Sequence, residues 1–85
     1  MSWTLWVYYH DRAGRGDEPG EKVLERLLKK HASGHGMRLS DHMEDIDVGY
    51  KSVVAAKRAG QMLLRFKAKL AAVGIKIKKV EVTED

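Results

Sequence analysis

Trp6, Tyr8 and His10 alternate along WTLWVYYH, and on an extended chain a spacing of two puts them on the same side. An indole and a phenol on one surface can form the centre of a protein interface, or a platform on which nucleic-acid bases stack. Asp45 and Asp47 alternate in the same way, as do Lys76 and Lys78, and a neighbouring position in the sheet would give the aromatic surface a charged rim. A second group is cationic: Lys57, Arg58, Arg65 and Lys69 recur at helical spacing with no acidic partner on their own helix. That face can meet an acidic protein surface or a phosphate backbone, and the plainer reading is a solvated helix face. His31, His35 and His42, with Asp41, have the donor types of a metal site. Gly34 and Gly36 interrupt the helical spacing of His31 and His35, and His31 falls on a packing stripe, so a structural histidine and no metal are expected. Neither a Ser/His/Asp pattern nor a Walker-type pattern occurs, and zero cysteines remove thiol catalysis, thiolate metal sites and disulfides together. A non-catalytic protein without a cofactor is the expectation.

Several elements must position these groups. Trp3–His10 reads as a strand with Trp3, Leu5, Val7 and Tyr9 inward, because that phase holds the aliphatics. DRAGRGDEPG, from Asp11 to Gly20, is a loop. Pro19 then opens a helix to about Ser33, with Leu24, Leu27, Leu28 and His31 as its inward stripe, Val23 and Ala32 flanking, and Gly34 ending it. Ile46, Val48 and Tyr50 alternate with Asp45, Asp47 and Gly49 in a second strong strand. A short strand from about Gly36 to Leu39, turning at Ser40-Asp41, pairs with it as a hairpin; the alternative is coil leading into one long strand.

The clearest periodicity runs from Ser52 to Val73. Ala55, Ala56, Ala59, Met62, Leu63, Phe66, Leu70 and Val73 recur at threes and fours, which predicts one long helix capped by Ser52 and ended by Gly74 in a left-handed conformation. Gly60, Leu64 and Ala71 would let the first helix pack close. Finally Ile75 and Ile77 alternate with Lys76 and Lys78, and Val80 and Val82 resume in the opposite phase, so an extra residue near Lys79 predicts a bulge or a strand leaving the core. Thr83–Asp85 are expected to fray.

The order βαββαβ predicts an α+β chain with the ferredoxin-like plait, an antiparallel sheet with both helices on one face; without the hairpin it becomes a three-stranded βαβαβ variant. Either way one sheet face stays open. Eighty-five residues suit a single domain over 1–85, and 44% apolar against 33% charged residues is a globular balance. No apolar stretch reaches the length of a membrane span, and the aromatic start lacks a basic lead and cleavage site, so a cytoplasmic protein is expected. The formal charge of +4 favours acidic or phosphate-rich partners by long-range steering.

From Val7 to Leu28, a strand ending at Asp11 and followed by a charged loop is similar in broad outline to the ferredoxin-like nucleases of CRISPR adaptation and the VapD toxins. The resemblance implies a dimeric metal nuclease with Asp11 around a divalent ion. Arg12 and Arg15 would alternatively cradle an anion as in acylphosphatases, but the glycine-rich signature of that family is missing, and Asp17 with Glu18 already fills the positive helix end. Arg15-Gly16-Asp17 spells an integrin tripeptide, read as coincidence without a secretion signal. The leading expectation is a small protein-binding module, of a kind found among phage or mobile-element inhibitors and adaptors, that occludes or bridges a macromolecular partner. Trp6, Tyr8, His10, Asp45 and Asp47, or Lys57, Arg58, Arg65 and Lys69, would make the contact. A homodimer through the open face belongs to this reading. Single-stranded RNA or DNA binding and the metal-dependent nuclease are the alternatives.

Overall fold

Leu5, Val7 and Tyr9 are each at least 99% buried while Trp6, Tyr8 and His10 between them keep solvent contact, so the first strand has the inward phase that its aliphatics require. A computed structural model describes residues 2–11, 20–37 and 43–85. Its elements are β1 (Trp3–Asp11), α1 (Gly20–Leu28), β2 (Gly34–Met37), β3 (Glu44–Tyr50), α2 (Val53–Arg65), α3 (Lys67–Ala72) and β4 (Ile75–Glu84). The strands form one four-stranded sheet in the order β2-β3-β1-β4, with every neighbouring pair antiparallel. This α+β architecture is consistent with the plait read from the sequence, and the presence of β2 removes the three-stranded alternative.

The core lies between the sheet and the helices. Leu5, Val7, Tyr9, Ile46, Val48, Ile75 and Ile77 meet Leu24, Leu28, Leu63 and Leu70, with Ala59, Met62, Phe66, Val80 and Val82 packed around them. A leucine-to-alanine change at such a position typically costs about 2–5 kcal/mol. Val80 and Val82 join this core because of a bulge. Tyr9 pairs with Ile77 and Tyr8 with Lys79, so Lys78 has no partner and the inward phase is restored one residue later.

Several expectations change. The long helix is broken at Phe66, whose φ of −91° and ψ of 9° interrupt the helical run, although its N–H keeps the bond to the Met62 carbonyl at 3.1 Å. Ala55 and Val73, the ends of the expected stripe, are exposed. Ser52 does cap α2, its Oγ accepting the Ala55 N–H at 3.0 Å, and Gly74 does follow α3 at φ 94°.

α1 stops at Leu28 rather than near Ser33, because Lys29 adopts φ 58° and the next turn closes back on the helix, Lys30 N–H to the Glu25 carbonyl at 3.2 Å. Gly34 therefore begins β2 instead of ending a helix, two residues before the expected start at Gly36; the described part of β2 is Gly34–Met37, and Leu39 lies outside the described residues. His31 leaves the packing stripe and stands 94% exposed beside Glu25. Gly60 packs on the sheet, not on α1: a Cβ there would come within 3.3 Å of Leu5 Cδ1. Leu64 and Ala71 face solvent.

The end of the chain is also ordered. β4 pairs with β1 as far as Trp3 and Glu84, and the Asp85 carboxylate accepts from the Ser2 hydroxyl at 2.8 Å and from the Thr4 hydroxyl, which hold its pKa below the usual range. Pro19, Ser40-Asp41, His42, the loop arginines and the Arg-Gly-Asp tripeptide lie outside the described residues.

Candidate functional site

Register decides which side chains share the helix-free side of the sheet. On β1 these are Thr4, Trp6, Tyr8 and His10, since their neighbours Leu5, Val7 and Tyr9 face the core. Tyr8 stands between Asp45 on β3 and Lys79 on β4. Trp6 stands between Asp47 and Glu81, and Thr4 between Gly49 and Thr83. His10 pairs with Lys76. No described element covers this side, because the buried residues of α1, α2 and α3 all join the opposite face.

The aromatic pair is held in place. Trp6 Nε1 donates to Thr83 Oγ1 at 3.1 Å, which satisfies the indole N–H and tips the ring toward β4. Lys79 Nζ lies 6.0 Å from the Tyr8 ring centroid and 3.0 Å from Glu81 Oε2. The Glu81 carboxylate, by hydrogen bond and charge, raises the Lys79 pKa, so the ammonium stays charged through the neutral range. On the other flank the aspartates lean over β2. A Cβ at Gly34 would lie 2.7 Å from Asp47 Oδ1, and one at Gly36 would lie 3.3 Å from Asp45 Oδ1. Glycine at both places lets the carboxylates rest against the β2 backbone instead of crowding the rings.

The structure thus brings together Trp6, Tyr8, His10, Asp45 and Asp47, and adds Lys76, Lys79, Glu81 and Thr83. Lys78, expected on this face beside Lys76, is the unpaired bulge residue, and Lys79 takes the place next to Tyr8. The signal for Lys79 lay in the phase change between Ile77 and Val80. Gly34 and Gly36 carried a weaker one, the small-residue alternation Gly-His-Gly. Lys57, Arg58, Arg65 and Lys69 are exposed on the helices, with the sheet between them and the aromatic pair.

Asp11, which the nuclease resemblance would place on a metal, has a structural task. Its Oδ2 accepts the Gly20 N–H at 2.7 Å, at the start of α1. Beside it a cleft of about 520 Å³ is lined by Tyr9, Glu21, His35, Met37, Glu44 and Asp45. Burial, then the Asp11 and Glu21 charges, raise the Glu44 pKa, with His35 opposing; burial likewise raises that of Tyr9. Among the described residues no group of histidines and carboxylates is arranged to hold a metal ion. No described helix is long and apolar enough to cross a membrane. Compared with protein-family models, curated proteins and solved structures, the chain matches none of them.

Proposed function

We propose that this chain is a small non-catalytic protein-binding module on a ferredoxin-like plait, and that the helix-free face centred on Trp6 and Tyr8 is its contact surface. One observation carries the reading: a tethered indole and a phenol stand on a sheet face that no described element covers, inside a rim of both charge signs. Large aromatics at the centre with charges around them is the composition of a protein interface, where the rings contribute affinity and the charges set orientation. The rim supports a protein partner over nucleic acid. Trp6 lies between two carboxylates, Asp47 and Glu81, and a phosphate chain following stacked bases would run past both. Binding through this face would act by occlusion or bridging.

The test is the double variant Trp6→Ala with Tyr8→Ala, compared with the unmodified chain by affinity capture from its source cells, by sedimentation and by thermal melting. The expected outcome is loss of the captured protein, or of self-association if the partner is a second copy, with the midpoint lowered by only a few degrees. Capture that persists unchanged removes the sheet face as the interface, and a collapse of the fold shows that the rings serve the core. Labelled single-stranded and duplex oligonucleotides at two salt concentrations test the nucleic-acid alternative.

A further inference from the structure

The helix layer contains a second surface with a different character. Between α1 and the α2–α3 break runs a groove of about 360 Å³, floored by Val23, Leu27, Phe66 and Leu70 and flanked by Arg26 and Lys69. It exists because Phe66 ends α2 and Gly60 seats that helix on the sheet, so the close packing of α1 on α2 that the sequence suggested does not occur. The Phe66 ring is partly buried in the floor, and Lys69 Nζ stands 5.5 Å from its centroid.

Charge around the groove has one sign over a long stretch: no Asp or Glu occurs between Asp47 and Glu81, a span that includes all of α2 and α3. On α1, Glu25 does not line the groove; its carboxylate accepts the Ala32 N–H at 2.6 Å, and that bond holds its pKa down. An occupant must therefore bring apolar side chains for the floor and negative charge for the acid-free α2–α3 side, where Lys69 stands. Nucleic acid has the charge but no aliphatic groups for the floor, and would leave Val23, Leu27 and Leu70 against water.

We infer that this groove binds an acidic amphipathic peptide segment of a protein partner, placing two or three large apolar side chains between α1 and α3 with its carboxylates toward Lys69 and the acid-free α2–α3 side. The inference stands apart from the sheet-face reading, since the sheet separates the two surfaces. Together they would make the chain a bridge.

The probe is a synthetic helical peptide with leucines at i, i+4 and i+7 and glutamates elsewhere, titrated into the ¹⁵N-labelled chain. The same apolar pattern carrying lysines, the glutamate pattern with the leucines replaced by serine, a single-stranded oligonucleotide and anionic lipid vesicles serve as comparisons. Shifts confined to Val23, Leu27, Phe66, Lys69 and Leu70 are expected with the first peptide, weakening at least about tenfold on Arg26→Glu with Lys69→Glu. Leu27→Asp should abolish them, and Trp6→Ala with Tyr8→Ala should leave them intact, which separates this result from the fate of the sheet-face proposal. Equal binding of the lysine peptide, binding that survives loss of the leucines, stronger binding of the oligonucleotide or vesicles at the same residues, or no shift in the groove would each overturn the inference. The charge-reversed pair is exposed in wild type, so its folding is checked by an unchanged spectrum elsewhere.

Discussion

Asp11 shows how a residue that suggests catalysis can be explained by local structure. It ends β1 facing inward and its carboxylate meets the Gly20 N–H, so removing it leaves a donor at the start of α1 without that acceptor. Asp11→Ala is expected to cost about 1 kcal/mol, or about 4–8 °C in thermal midpoint for a domain of this size, whether or not divalent ions are present. A loss of nuclease activity without loss of stability would instead restore the metal reading. Gly60 carries a different constraint. Its missing Cβ leaves room for Leu5 Cδ1 and for Val80 Cγ2, 3.6 Å from where the Cβ would lie, so Gly60→Val should overpack the helix–sheet contact and cost about 1–3 kcal/mol by denaturant melting. An unchanged midpoint would show that α2 can lift from the sheet freely. His31, Gly60 and Asp11 were each legible as residue types, but their roles depended on where α1 stops and on which neighbour each one meets, neither of which local spacing specifies.

At the scale of elements, the bulge in β4 links the sequence pattern to the fold. Ile75 and Ile77 face inward, Lys78 is unopposed, and Val80 and Val82 face inward again opposite Val7 and Leu5. Deleting Lys78 would leave Tyr8 opposite Lys79 and Tyr9 opposite Ile77 in an unbroken ladder, so the variant is expected to fold with a midpoint close to wild type. Deleting Lys79 as well would place Val80 directly after Ile77, opposite Tyr8, and turn Val80 and Val82 to the open face; it should destabilise by several kcal/mol, about 1.5–3 for each valine brought to water. Equal tolerance of both changes would mean that β4 does not depend on this register. The alternating strands and the phase change were readable because a period of two is a strong signal that sheet pairing reinforces. The break at Phe66 was not, since Phe66 fits the stripe of an unbroken helix and only the tertiary path of α3 toward β4 reveals the turn. The exit of α1 at Lys29 was hidden for a similar reason, a lysine in a left-handed conformation that glycine more often fills.

Over the whole molecule, charge is segregated, and the segregation predicts a pH response. Glu44 sits on the core side of β3 near Asp11, Glu21, Tyr9 and His35, and its pKa is raised first by burial and then by the two carboxylates. The folded chain therefore holds that proton more tightly than the unfolded chain. This contribution is fully present below the ordinary carboxylate range and is lost as pH rises from that range through the raised value. Glu44→Gln should raise the thermal midpoint at neutral pH and have little effect near about pH 3, where wild type is already protonated. The opposite order would place the stabilising charge on Glu44 itself. The mixed-sign sheet face and the cationic helix layer were visible in outline, as alternating Asp and Lys and as basic residues at helical spacing, whereas the acidic cleft at Glu44 and the groove between the helices appeared only once the elements were placed. Finally, the outermost strands bear on how anything can approach. β4 carries exposed Lys76, Lys78 and Lys79 and a bulge along its outer margin. Such a margin resists extension by another chain's strand, because a docking strand would meet a row of ammonium groups and a ladder interrupted by the bulge. A visitor is thus steered away from this border to the broad surfaces, and replacing the three lysines with valine should turn the border into a template for ordered, fibre-like stacking.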